Sequence, residues 1–159
     1  SEHLYGDLSG DVLILAIGTP VLEAVKAAKL LEAEHHIRAS VINLRFAKPL
    51  DEKMILDFVR RFSTIMTVEE GVVKGGVGAA ILELFAQNEI LKPVKILGVP
   101  DRFFDHASQS RQREIAGIDS ASLMHAAIAL IDDQQKSKEA DVMSKITSLP
   151  WRGHKGVSR

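Results

Sequence analysis

The chain has 159 residues, 46% hydrophobic and 26% charged, with a net charge of −1 and no cysteine. That length and balance fit one globular domain with a real core, and the missing cysteine excludes disulfides, thiolate catalysis and cysteine-based metal centres. A charge so near zero gives no global attraction to nucleic acid or an anionic membrane, and no apolar run approaches the ~20 residues that span a bilayer. The start carries no basic-then-apolar signal peptide, and the absence of cysteine leaves the compartment open, with the cytosol as the default expectation.

Residues 1–10 are polar and contain glycine, and they read as a linker. Asp11 to Ile17 is a continuous apolar run that suits a strand buried on both faces. Thr19-Pro20 then reads as a helix start, Thr19 as N-cap and Pro20 in the first turn. Val21, Leu22, Val25, Ala28 and Leu31 recur at helical spacing. His35 and His36 fall at that helix's negative end, and neighbours on a helix do not share a face as a metal pair must. Arg38 to Leu44 is the second strand, and Arg45 to Asp51 leaves it as a loop, with Asp51 capping a helix whose stripe is Met54, Ile55, Phe58, Val59 and Phe62.

Thr64-Ile65-Met66 reads as the core of a third strand, followed by Glu69, Glu70 and the glycine-rich Gly75-Gly76-Val77-Gly78 turn. A helix begins close behind, around Ala79 to Phe85. Val94 to Leu97 is a fourth strand, Asp101 to Ser108 a polar and aromatic loop, and Ser110 to Ile115 a short helix stopped at Gly117. Asp119 or Ser120 caps a last helix carrying Leu123, Met124, Ala127, Ile128 and Ile131. Strands alternating with helices of crossover length predict an α/β domain over residues 11–132. It is three-layered, with a mostly parallel sheet and helices on both faces. From Asp132 on, six basic residues stand against four acidic ones, a balance of 6 − 4 = +2. With few bulky apolar residues, 133–159 reads as an extension, flexible or docked on a partner. Val142, Ile146 and Leu149 fit a short amphipathic helix that Pro150 would stop.

In open α/β sheets ligands and partners dock at the carboxyl ends of the strands, so the candidate residues lie there. Glu69 and Glu70 are suited to acid–base work, to accepting backbone N–H groups, or to pairing across a contact. Gly75, Gly76 and Gly78 would tighten a turn, or hold an anion at the following helix start; the two adjacent glutamates would repel that anion. Asp101, Arg102 and His106 sit on the loop past the fourth strand, where anchoring the loop or meeting another domain competes with chemistry. His125 lies among Leu123, Met124, Ala126 and Ala127 and reads as a helix-surface or core histidine. No residue reads as catalytic, cofactor-binding or metal-ligating. The interface candidates are Glu69, Glu70, Gly75, Gly76, Asp101, Arg102 and His106.

Taken together, Gly18-Thr19, Arg45-Phe46-Ala47-Lys48-Pro49-Leu50-Asp51, Thr67-Val68-Glu69-Glu70, Gly75-Gly76-Val77-Gly78 and Gly98-Val99-Pro100-Asp101-Arg102-Phe103 make the chain resemble a known family. It resembles the C-terminal domain of 1-deoxy-D-xylulose-5-phosphate synthases, within the transketolase group. The Thr-Val-Glu-Glu and Gly-Gly-x-Gly pair is shared with transketolases and with the β subunits of 2-oxoacid dehydrogenases. The Arg-Phe-x-Lys-Pro-Leu-Asp and Pro-Asp-Arg-Phe motifs are more selective for the synthases.

The resemblance implies a parent enzyme that condenses pyruvate with glyceraldehyde 3-phosphate and releases carbon dioxide. That parent would use thiamine diphosphate and Mg2+ and feed isoprenoid, thiamine and pyridoxal synthesis. It also implies a bacterial cytoplasm or plastid stroma, a homodimer, and two preceding thiamine-binding domains as partners of this one. The chain lacks the Gly-Asp-Gly…Asn pattern that holds a magnesium diphosphate. The expectation is a packing and dimer-forming domain without synthase activity of its own. The rival expectations are a stand-alone binding module or split subunit, and the C-terminal domain of a transketolase or dehydrogenase β subunit.

Overall fold

The computed structural model describes residues 1–101 and 106–147. The described strands are β1 (Glu2–Tyr5), β2 (Gly10–Ala16), β3 (Ala39–Asn43), β4 (Phe62–Val72) and β5 (Val94–Val99). The helices are α1 (Pro20–His35), α2 (Glu52–Val59), α3 (Val77–Gln87), α4 (Gln109–Ala116) and α5 (Ser120–Thr147). The sheet order is β1-β3-β2-β4-β5. β2, β3, β4 and β5 pair in parallel, and β1 runs antiparallel along the β3 edge.

Alternation along β2 divides the core into two. Val12, Ile14 and Ala16 face α1 and α5, where Ala24, Ala28, Leu31, Leu123 and Ala127 meet them. Leu13 and Leu15 face α2 and α3, where Ile55, Val59, Ile81 and Phe85 meet them. A strand covered on both sides needs apolar residues at every position, which is why its pattern is continuous. The three-layer α/β expectation is what the structure shows.

Three local expectations are corrected. Residues 1–10 were expected to form a linker, yet Glu2 pairs with Asn43 and His3 with Ile42 in β1. The inward positions of β1 are His3, whose ring meets that of Phe58 tilted by 45° at 5.2 Å between centroids, and Tyr5, whose hydroxyl donates to Glu32; Leu4 points outward at 40% exposure. The usual hydrophobic-in signal is inverted, so periodicity missed the strand. Thr19 stands at the N-cap of α1 with Pro20 at the helix start, as expected, but makes no side-chain cap bond.

Glu69 and Glu70 lie within β4, not in a turn beyond it. The domain boundary expected at residue 132 falls inside α5, which continues unbroken to Thr147. No glycine or proline interrupts residues 133–147, Gln134 Nε2 donates to the Ser63 carbonyl at 3.0 Å, and Lys145 pairs with Asp141 one turn back. Leu149, Pro150 and Trp151 lie outside the described residues.

Gln109–Lys145 contains a window long and apolar enough to cross a membrane, with mean hydropathy 1.4. The segment is broken at Gly117, in the left-handed region at φ 72, and it buries Leu123, Met124, Ala127 and Ile131 in the core.

The start of α5 is fixed from two directions. Asp119 accepts from the Ala121 and Ser122 amides, each at 3.1 Å, and from the Ser122 hydroxyl. Glu23 of α1 accepts from the Ser120 amide at 3.1 Å. Burial alone would push the Asp119 carboxyl up, but the bonds from Ser122 and Ala121 outweigh it and hold the group below its ordinary 3.8. A depressed folded pKa contributes stability above the unfolded pKa and loses it as pH falls through the folded one. Asp119→Ala should therefore cost ~1 kcal/mol at neutral pH. In urea titrations that gap should hold down to about pH 4 and close below it; an undiminished gap at about pH 2 would show that the charge contributes nothing.

Candidate functional site

The path of the chain reverses between β2 and β4. From β2 it passes through α1 to β3 on one side, and from β4 it passes through α3 to β5 on the other. The carboxyl ends of these two neighbouring strands form the switch point of the sheet, the usual ligand position in such folds. Thr19, just past β2, donates its hydroxyl to Glu70 of β4 at 2.5 Å across that point.

Glu69 points the other way and is buried, at 5% exposure. Its two carboxylate oxygens accept the Val77 and Gly78 amides, each at 3.0 Å. Those are first-turn donors of α3, and a negative charge there also complements the helix dipole. Of the roles open to Glu69 in the sequence, accepting backbone N–H groups is the one the structure shows. The glycines follow from it. A Cβ on Gly76 would lie 2.4 Å from the Glu69 carboxylate oxygens, and one on Gly98 would lie 2.8 Å from the Gly71 carbonyl. Gly75 is in the left-handed region at φ 74 with open space around it.

Thiamine diphosphate does not fit this edge. The α3 amides that would meet a diphosphate are held by Glu69, and its carboxylate occupies the space beside Gly76. Among the described residues no group of three or more His, Asp or Glu could hold a metal ion.

On the exposed side of Glu70 lies a cavity of about 170 Å³. Glu70, Gln109, Gln112 and Arg113 supply its polar wall, and Val99 and Ile118 its apolar floor. Gln109, Gln112 and Arg113 share one face of α4 through their i, i+3 and i, i+4 spacing. The Arg113 Nε is buried and has no hydrogen-bond partner. Sequence reasoning missed this wall; its one signal was a Gln- and Arg-rich helix without an apolar stripe just past the last strand.

The remaining candidates do not gather into one centre. Asp101 and His106 are exposed, and Arg102 lies outside the described residues. This edge also exposes Leu22 in the first turn of α1 (69%), Phe46 on the loop past β3 (65%) and Val72 at the end of β4 (45%).

Residues 7–123 match the family described as transketolase, C-terminal domain. The chain is 50% identical over 121 residues to a 1-deoxy-D-xylulose-5-phosphate synthase of Thermomicrobium roseum, covering 76% of this chain and 19% of that one. With the synthase of Aquifex aeolicus the identity is 47% over 116 residues, covering 73% and 18%. The chain thus spans about a fifth of the length of these relatives, at their C-terminal end. A solved structure titled a split gene transketolase, inactive β4 tetramer, superposes with a TM-score of 0.71 at 31% identity, covering 78% of this chain and 40% of that one. Motif order, three-layer fold and these matches agree: the chain belongs to the transketolase C-terminal domain family.

Proposed function

We propose that this domain is the C-terminal part of a 1-deoxy-D-xylulose-5-phosphate synthase, a thiamine-dependent transferase. The observation that carries the reading is the 50% identity over 121 residues to the end of such an enzyme. The parent joins pyruvate to glyceraldehyde 3-phosphate with loss of carbon dioxide in a bacterial cytoplasm or plastid stroma, and its thiamine diphosphate and Mg2+ sit in the preceding domains. The domain's own work is packing. Its strand-end edge, with Phe46, Leu22 and Val72 exposed beside Gly75, Gly76, Asp101 and His106, docks on those domains and on a second subunit. Glu69 serves that edge from within by holding α3 in place.

The test is reconstitution. Alone, the chain should show no turnover of pyruvate and glyceraldehyde 3-phosphate. Mixed with a separately produced piece carrying the two preceding domains, it should form a stable complex that turns over. Phe46→Asp should weaken that complex by about tenfold or more, the usual cost of removing an aromatic anchor. Turnover by the chain alone would overturn the assignment, and a complex indifferent to Phe46→Asp would move the interface elsewhere.

A second reading, a domain of a separately encoded subunit, is favoured by the likeness to a split gene transketolase. The mass of the intact gene product separates the two.

A further inference from the structure

Ser1 and Glu2 hold the loop that displays Phe46. The Ser1 hydroxyl donates to the Leu44 carbonyl at 3.3 Å, and the Ser1 nitrogen donates to the Asp51 carboxylate, also at 3.3 Å. A peptide N–H at Ser1 can make the second bond as an ammonium does. Glu2 pairs with the Arg45 guanidinium at 3.6 Å. Inside the loop the Arg45 amide donates to Asn43 Oδ1 at 3.0 Å, and the Phe46 amide donates to the Leu44 carbonyl at 2.7 Å. Arg45 is in the left-handed region at φ 61, a conformation that is costly for a residue with a side chain and persists only where the surroundings impose it. The product is an exposed phenylalanine on a bent turn braced from both ends. A loop meant for water needs no such bracing, whereas an aromatic already held in place loses little freedom on docking.

We propose that Phe46 docks on the domain joined to Ser1 in the same polypeptide, and not on a second subunit. The inference rests on the reading of this chain as the C-terminal part of a longer enzyme, and it names which partner this part of the edge meets. In that enzyme the preceding domain enters at Ser1. Glu2–Tyr5 is already β1, so there is no slack on this side of the junction. Leu44, which Ser1 touches, is separated from Phe46 by at most ~7 Å of chain. A domain of about 100 residues has a radius of gyration of about 13 Å, so one packed beside Ser1 reaches past Phe46 and leaves no room there for another subunit. A short tether also keeps the two surfaces at an effective concentration in the millimolar range, which favours this contact over one with a separate molecule.

The intact gene product tests the inference, with the photoreactive p-benzoylphenylalanine at position 46. The position is exposed, so the fold tolerates the change. Irradiation should join position 46 to residues before Ser1 within one chain, and the denatured product should keep the mass of a single chain. The same probe at position 91 is the control. Leu91 is 97% exposed in the segment before β5, at the opposite end of the sheet, and a probe there should capture no residue before Ser1.

A covalent species with the mass of two chains would place Phe46 against the second subunit and overturn the inference. So would capture confined to residues 1–159, or capture of the preceding domain from position 91 as readily as from position 46. Synthase turnover without the internal capture sinks this inference alone. Internal capture without turnover sinks the synthase assignment and leaves the docking in place, and a gene product with no domain before Ser1 overturns both.

Discussion

Replacing Glu69 by alanine should lower the domain's stability by ~3 kcal/mol, among the largest effects of any polar substitution in the chain. The carboxylate is buried and accepts two N–H groups of α3, each at 3.0 Å. Hydrogen bonds to a charged acceptor contribute ~1.5–3 kcal/mol each, and removing the acceptor leaves the buried Gly78 amide and the part-buried Val77 amide unmet. Glu69→Gln should cost roughly half as much, since one oxygen remains while its NH2 group faces a donor. Glu70→Ala, at an exposed position on the same strand, should stay within ~0.5 kcal/mol of wild type.

Urea midpoints at constant slope provide the measurement, and a Glu69→Ala loss under ~1 kcal/mol would remove the argument. A second arm isolates the pair. Gly76→Ala places a methyl 2.4 Å from the carboxylate, so it should be severe in wild type and mild once Glu69 is alanine. The coupling should exceed ~1 kcal/mol, in the range of residues in direct contact.

The elements legible in the sequence were those whose core was purely hydrophobic. β2 showed itself because both its faces are covered, and α2 because Ile55 and Val59 recur on one face behind a capping Asp51. The glycine motif located the edge correctly, but its chemistry depended on which way Glu69 points. Alternation along β4 decides that by turning Glu69 inward and Glu70 outward, once the strand is known to run to Val72. The sequence, with its acidic pair next to glycines, ended the strand too early.

The Thr19 to Glu70 contact and the Arg113 wall were beyond reach for another reason. They join residues 51 apart in the first case, and in the second a helix and a strand brought together by sheet order. Local pattern carries no information about strand order. The length of α5 was legible in principle, since residues 133–147 hold no helix breaker, but a drop in hydrophobicity was read as a drop in structure.

The most informative single substitution at the other end of the sheet is Gly6→Ala, because Gly6 is what lets the first residues be a strand. It sits at φ 83, and a Cβ there would lie 2.1 Å from the Ala39 carbonyl and 2.6 Å from the Ser40 hydroxyl. The left-handed backbone costs an alanine ~1–2 kcal/mol, and forcing a methyl into packed atoms ~1–3 kcal/mol more. The neighbour in the closest clash is backbone of β3, which cannot swing aside as a side chain can.

Four-residue β1 lies at the sheet edge, so the cheapest relief is to release it and keep the rest folded. Hydrogen exchange should therefore show amide protection in β1 and its β3 partners falling by about 30- to 1,000-fold, the equivalent of ~2–4 kcal/mol. β2 and β4 should stay protected. Gly75→Ala is the control, with φ 74 but nothing within 4 Å of the added methyl, and it should show the backbone cost alone. If Gly6→Ala matched Gly75→Ala, the close approach to Ala39 would be discarded. If β2 lost protection together with β1, the edge strand would be an integral part of the cooperative unit, and the domain would have to be counted from Glu2.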